Sequence, residues 1–260
     1  MGSGIALYSF ILVIFYLFQE KMIFFPGPSE FGDCFEMKQR SAQAESVGGV
    51  RYYIQKKPSP DNWIIIFHGN AGNACDRIYF LDLFTDFNSN LVVFEYPGFG
   101  QDGNTPGEAL ILDKAVALIR HIETINPSGL PIYLMGESLG TGVATFAATR
   151  TKISGLILIA AYTSLSRVAR YHYPWLPVQW LMKHGFAADL WAGQTPALLF
   201  HGTEDDIIPI RFAREQLACF KGHKELVEIL GSGHNDITDT GATLIRENIR
   251  SFMANPRLEY

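Results

Sequence analysis

Three cysteines in 260 residues are too few and too scattered for a disulfide framework. Cys34, Cys75 and Cys219 form no CxxC pair of the kind that ligates metal or cycles electrons. Their odd number leaves at least one free thiol, which the residue type makes a small buried apolar side chain. Blocks of lysine or arginine are absent too. With a formal charge of −5, the chain offers no electrostatic footprint for a phosphate backbone, so nucleic acid is excluded as an expected partner. No cluster of histidine and cysteine has ligand spacing, so neither a metal nor an organic cofactor is expected. Internal repeats and low-complexity stretches are also missing.

What is present is apolar surface. An apolar content of 48% is enough to bury one large core, and a chain of this length forms one catalytic domain plus additions. Residues 1–25 stand apart from it. Ile5 to Phe18 carries no charge, and apolar residues resume at Met22, Ile23, Phe24 and Phe25 after Gln19, Glu20 and Lys21. The uncharged stretch rises only about 21 Å as a helix, against a hydrocarbon core of roughly 30 Å, unless Gly2 to Gly4 and the Lys21 stem extend it. A cleaved signal would need a basic start and a small-residue cleavage site, and neither is there. Ala6 stands where N-myristoylation needs Ser or Thr. The expectation is an uncleaved, membrane-associated anchor helix over 1–25 and a catalytic domain over 26–260; Glu20 beside Lys21 leaves membrane sidedness unread. Nothing bears on oligomeric state.

Beyond the anchor, short β-branched and aromatic runs alternate with segments of helical period. Strands are expected at Val50–Gln55, Trp63–Phe67, Leu91–Glu95, Pro131–Met135, Gly155–Ala160, Ala197–Phe200 and Leu226–Leu230. Wholly apolar runs such as Ile64–Phe67 and Leu156–Ile159 suit strands covered on both faces. Helices are expected at Pro106–Ile125, Val143–Thr149, Phe212–Phe220 and Gly241–Met253. The alternation describes an α/β doubly wound fold with a mostly parallel sheet. Between Tyr162 and Thr195 it breaks. That segment holds three of the four tryptophans and reads as a small helical cap above the site, about 162–195.

Chemistry in such a sheet gathers just beyond the carboxyl ends of the strands. After Pro131–Met135 comes Gly136, Glu137, Ser138, Leu139, Gly140, a GxSxG sequence between strand and helix. This is the pattern of a nucleophile elbow, in which a strained turn lifts the Ser138 hydroxyl clear of the sheet. The hydroxyl needs a base, and the base needs an orienting acid. His234, in a Gly-Ser-Gly-His-Asn loop before the last helix, comes last in the order nucleophile, acid, base. His68 and His201 fall too early in that order and are read as structural. Three adjacent carboxylates, Glu204, Asp205 and Asp206, follow the penultimate strand, and spacing alone does not choose among them. An oxyanion needs two N–H donors: Leu139, after the nucleophile, and Asn70 or else Ala71 in the loop His68–Gly72. Gly98, Gly100 and Gly103 spell GxGxxG, but Asn104, Thr105 and Pro106 delay the helix that a dinucleotide site requires, so the stretch reads as a loop.

The strings HGNAGN at His68, YPGFG at Tyr96, GESLG at Gly136, YTSL at Tyr162, YPWLP at Tyr173, HGTEDDIIP at His201 and GSGHND at Gly231 together resemble the α/β-hydrolase superfamily. More narrowly they are similar to its membrane-anchored bem-forty-six-like branch, related to acyl-protein thioesterases, though without the cysteine-rich amino-terminal stretch of the palmitate-removing members. The resemblance implies that Asp205 is the triad acid. It also implies a serine esterase, lysophospholipase or acyl-thioesterase working through an acyl-enzyme on a small-molecule or lipid-like substrate. Tyr171, Trp175 and Trp180 are the expected substrate-binding residues, with Tyr173, Leu176, Leu181 and Phe186 beside them in the cap. A peptidase or amidase on the same triad, or a non-catalytic receptor on the same fold, are the rival readings.

Overall fold

The computed structural model describes residues 2–254. Ten strands run in chain order: β1 (Phe25–Pro26), β2 (Gln43–Val47), β3 (Val50–Gln55), β4 (Asn62–Phe67), β5 (Ala71–Gly72), β6 (Ser89–Glu95), β7 (Ile132–Glu137), β8 (Gly155–Ile159), β9 (Ala197–Gly202) and β10 (Lys224–Ile229). The helices are α1 (Gly2–Ile23), α2 (Phe35–Gln39), α3 (Ile78–Leu83), α4 (Glu108–Thr124), α5 (Leu139–Ala148), α6 (Leu165–His172), α7 (Val178–Leu181), α8 (Ala188–Trp191), α9 (Arg211–Cys219), α10 (Ile237–Thr240) and α11 (Ala242–Ala254), with a 3-10 turn at Ala74–Arg77.

Eight strands form one sheet in the order β10-β9-β8-β7-β4-β6-β3-β2. β2 and β3 are antiparallel additions at one edge; from β6 to β10 every neighbour is parallel. Each apolar strand feeds two cores. In β4, Ile65 and Phe67 pack with Ala115 and Ile119 of α4 on one face, while Ile64 and Ile66 pack with Phe80 of α3 and Ile249 of α11 on the other. Each fully buried side chain of this size contributes about 1.5–3 kcal/mol. That two-sided burial is why the strands read as unbroken apolar runs.

The chain winds outward from β4 in both directions, to β6 on one side and to β7, β8, β9 and β10 on the other. The carboxyl ends of β4 and β7 therefore form the switch point of the sheet, where a crevice opens. The loop His68–Asn70 and the turn Gly136–Gly140 meet there. α6, α7 and α8 occupy the expected cap segment.

Three features were not foreseen. β2 is a polar, mostly exposed edge strand, so no apolar alternation announces it. β1 pairs in parallel with β5, Phe25 against Ala71 and Pro26 against Gly72, and ties the end of α1 to the loop after β4. Cys34 and Cys75 form a disulfide, Cα atoms 5.8 Å apart. This corrects the reading of scattered thiols, because the two sites are 41 residues apart in sequence and meet only when the start of α2 and the Ala74–Arg77 turn come together in the fold. Cys219 is the free thiol among the described residues.

Candidate active site

Ser138 caps the amino terminus of α5 with φ 50° and ψ −118°, a conformation rare for a residue with a side chain. Packing holds it there. A Cβ on Gly140 would collide with the backbone of Phe67 and His68, and one on Gly136 with the carbonyl of Gly140. The two glycines thus let α5 press onto β4 and β7, and the serine between them is levered out of the sheet.

The hydroxyl meets His234. Ser138 Oγ lies 3.1 Å from His234 Nε2, and His234 Nδ1 lies 2.7 Å from Asp205 Oδ2. With the Nδ1 proton donated to the carboxylate, the Nε2 lone pair faces the serine. Among the three carboxylates after β9, Asp205 is buried, whereas Glu204 and Asp206 are exposed. The Ile207 and Ile208 N–H groups donate to Asp205 Oδ1 at 3.0 and 2.7 Å. His201 Nε2 donates to the Ile208 carbonyl at 2.7 Å and stands 3.3 Å from Asp205 Oδ2. Burial alone would raise this carboxyl, but the hydrogen bonds from His201, His234 and Ile208 hold it well below the usual carboxylate range. His201 and His68 are both fully buried, and their ring nitrogens bond to the Ile208 and Gly69 carbonyls and to neither Ser138 nor His234.

The Asn70 and Leu139 N–H groups have no partner among the described residues, and both residues line the cavity above Ser138. Their loop is firmly seated. The Asn70 amide donates from Nδ2 to the Ile23 carbonyl at 2.8 Å, and the Phe25 N–H donates to the Asn70 carbonyl at 2.8 Å. Glu137, the residue before the nucleophile, holds the other side. It accepts from Arg77 Nε at 2.8 Å, Tyr79 Oη at 2.6 Å and the Gly69 N–H at 3.3 Å. Sequence reading had assigned no part to Glu137, Arg77 or Tyr79; the acidic second position of GESLG was the available signal.

The cavity measures about 530 Å³. Ser138 and His234 lie at its polar end, and Leu165, Val168, Leu176 and Leu181 of the cap form an apolar wall. Tyr171, Trp175 and Trp180 do not line it, which corrects the expectation for all three. Tyr171 packs outward against Arg211 and Phe212, Trp175 lies beside Phe15 of α1, and Trp180 is 82% exposed. Of the aromatic residues expected in the cap, Tyr173 lines the cavity, beside Leu176, Leu181 and the other aliphatic residues of α6 and α7. Phe186 is instead buried in the core below the cap. The GxGxxG stretch does not open a helix, since α4 begins only at Glu108. Among the described residues the one cluster with metal-ligand chemistry, Cys34, Glu36 and Cys75, has both thiols committed to the disulfide.

Behind the loop, burial pushes the Glu95 carboxyl up to about 7 from 4.5, with the Ala74 N–H and Arg51 opposing the shift. A raised carboxyl stabilises the fold fully below pH about 4.5, and that contribution is lost as the pH rises through about 7. The gap corresponds to about 3 kcal/mol. Glu95→Gln, which keeps an oxygen for the Ala74 N–H, is therefore expected to gain stability over the parent at pH 8 and not at pH 4. Thermal melting at the two pH values reads the difference, and a parallel offset at both would count against it.

Residues 58–190, just over half of the chain, match the family Hydrolase_4, described as serine aminopeptidase, S33. The chain belongs to this family. A lysophosphatidylserine lipase, ABHD12, of Danio rerio is 28% identical over 214 residues, covering 71% of this chain and 55% of that one. An uncharacterised membrane protein of Saccharomyces cerevisiae is 27% identical over 195 residues, covering 70% and 67%. Among solved structures, a soluble variant of monoglyceride lipase from Saccharomyces cerevisiae superposes with a TM-score of 0.61 at 14% identity, covering 82% of this chain and 94% of that one. The fold is that of the α/β-hydrolases, and membership of the family makes the protein a hydrolase.

Proposed function

We propose that this protein is a membrane-anchored serine hydrolase that cleaves carboxylic esters or thioesters of lipid-like acyl groups. Residues 1–25 would be its anchor and 26–260 its catalytic domain, with the cap over 162–195. The observation that carries the reading is one imidazole bridging a levered-out serine and a buried carboxylate at the polar end of an apolar cavity. In this mechanism Ser138 attacks the acyl carbonyl as His234 takes its proton, and Asp205 stabilises the imidazolium. The Asn70 and Leu139 N–H groups receive the oxyanion. His234 then protonates the departing alcohol or thiol, and water, deprotonated by the same histidine, releases the acid.

The family description and the rival reading both raise a peptidase. An aminopeptidase site needs an anionic group for the substrate's free amine. The only carboxylate among the described lining residues is Glu137, already bound by Arg77 and Tyr79. The lipase relatives and the apolar wall favour acyl esters, in keeping with the bem-forty-six-like resemblance. A panel of p-nitrophenyl acyl esters, acyl thioesters and amino-acid p-nitroanilides tests this. The expected kcat/KM for esters or thioesters exceeds that for the anilides by at least about 100-fold, a transition-state difference of about 2.7 kcal/mol. Preference for the anilides would overturn the assignment.

A further inference from the structure

The cavity has a wall that does not belong to the hydrolase body. Phe15, Gln19, Met22 and Ile23 of α1, with Phe25 just beyond it, line the same space as Ser138 and His234. Gln19 is the buried polar residue that locks the contact. Its amide nitrogen Nε2 donates to the Leu181 carbonyl at 3.1 Å, and its Oε1 accepts the Lys183 N–H at 2.7 Å. Further up the helix Phe15 packs on Tyr173 and Trp175, and Tyr8 Oη donates to the Trp175 carbonyl at 2.8 Å. From Tyr8 to Ile23 an α-helix rises about 22 Å, so the cap runs along most of α1.

The opposite face of α1 is bare. Leu7, Phe10, Val13 and Leu17 are all exposed, on a helix whose residues Ser3–Ile23 are long and apolar enough to cross a membrane. Charged groups meet α1 at the level of Glu20, where Lys183 stands 3.3 Å and His184 Nε2 3.5 Å from its carboxylate. Seating α1 in a bilayer up to this collar carries the cap tip with it, because Trp175 sits beside Tyr8 and Phe15, well above Glu20. The exposed ring of Trp180, next to Leu181 at the level of Gln19, then lies where aromatic side chains favour the membrane interface, and that of Trp175 lies deeper in the leaflet beside Phe15. The cavity crosses that interface, with Phe15 and Tyr173 at its bilayer end and Ser138 at its aqueous end.

Resting on the acyl-hydrolase reading, we propose that α1 is a specificity-determining wall of the acyl site, and that a single-chain acyl amphiphile enters it sideways from the leaflet holding α1. The volume argues for one chain. At about 530 Å³ it lies within the roughly 300–1,000 Å³ that ordinarily holds one small ligand.

The test uses the full chain in phosphatidylcholine vesicles, with p-nitrophenyl butyrate and palmitate as probes. Met22→Trp, which fills the wall, is expected to lower the palmitate-to-butyrate rate ratio at least about tenfold. Leu17→Trp, on the bare face of the same helix, is expected to leave that ratio where it was. Circular dichroism checks the fold, with Met22→Phe as the second variant should tryptophan not be accommodated. Equal ratios in the parent and both Met22 variants would overturn the wall, while a parent that hydrolyses neither ester would overturn the acyl-hydrolase reading itself. For the route, Trp175→Asp with Trp180→Asp is expected to slow palmitate hydrolysis about tenfold in vesicles relative to detergent micelles. An equal effect in both would overturn entry from the leaflet.

Discussion

Ser138→Ala is expected to lose all labelling by a fluorophosphonate probe and to lower ester hydrolysis by at least about 10³-fold while the protein stays folded. The hydroxyl contributes one hydrogen bond, to His234, and the turn already accommodates a Cβ at φ 50°, so alanine leaves the packing of α5 on β4 and β7 intact. Asp205 continues to hold the imidazole through Nδ1. The loss therefore falls on chemistry and not on stability. Labelling on a gel, beside a melting curve of parent and variant, checks both halves. A labelled Ser138→Ala protein would place the reactive nucleophile elsewhere in the chain.

The second large effect is expected at Asp205→Asn, about 10⁴-fold in kcat/KM, as for a triad whose histidine is turned to the wrong tautomer. The geometry explains why an isosteric change costs so much. Two N–H groups point at Oδ1 and two histidine nitrogens lie within 3.3 Å of Oδ2. A carboxylate accepts the two backbone N–H groups at one oxygen and the His234 Nδ1 proton at the other, whereas an amide must turn its NH₂ toward one side or the other. Stability should change with a sign set by the same contacts. Because the folded carboxyl titrates well below 3.8, its stabilisation is present above pH about 3.8 and lost as the pH falls below that value. The parent should therefore melt higher than Asp205→Asn at pH 7, and the two should converge at strongly acidic pH. A constant difference across that range would assign the loss to packing.

How much of this was legible in the chain differs from residue to residue. Ser138 and His234 announce themselves because a strand, a glycine-flanked turn and a helix are all local patterns, and the order of elements places both at one sheet end. Asp205 was harder. Three consecutive carboxylates differ only in which way the backbone turns after β9, and it took the strand's geometry to bury one and expose its neighbours; the family resemblance pointed to it, the spacing did not. The tryptophans misled for a related reason. Aromatic content marks a cap, but which side of a short helix faces the cavity depends on what it packs against, and α6 and α7 pack their aliphatic residues inward. The sequence marked α1 as an anchor and gave no sign that it would line the cavity, since its contacts with Tyr173, Trp175, Leu181 and Lys183 join segments far apart in sequence. The same distance hid the meeting of Cys34 with Cys75.

The pairing of β1 with β5 bears on how the protein can be shortened. Trimming the chain to begin at residue 26 is the obvious route to a version that handles easily in solution, yet it discards the Ile23 carbonyl that holds the Asn70 side chain and the Phe25 N–H that holds its backbone. It also opens one side of the cavity to water. A useful soluble version must be cut upstream of Gln19, so that the last turns of α1 and the whole of β1 remain as an integral part of the enzyme.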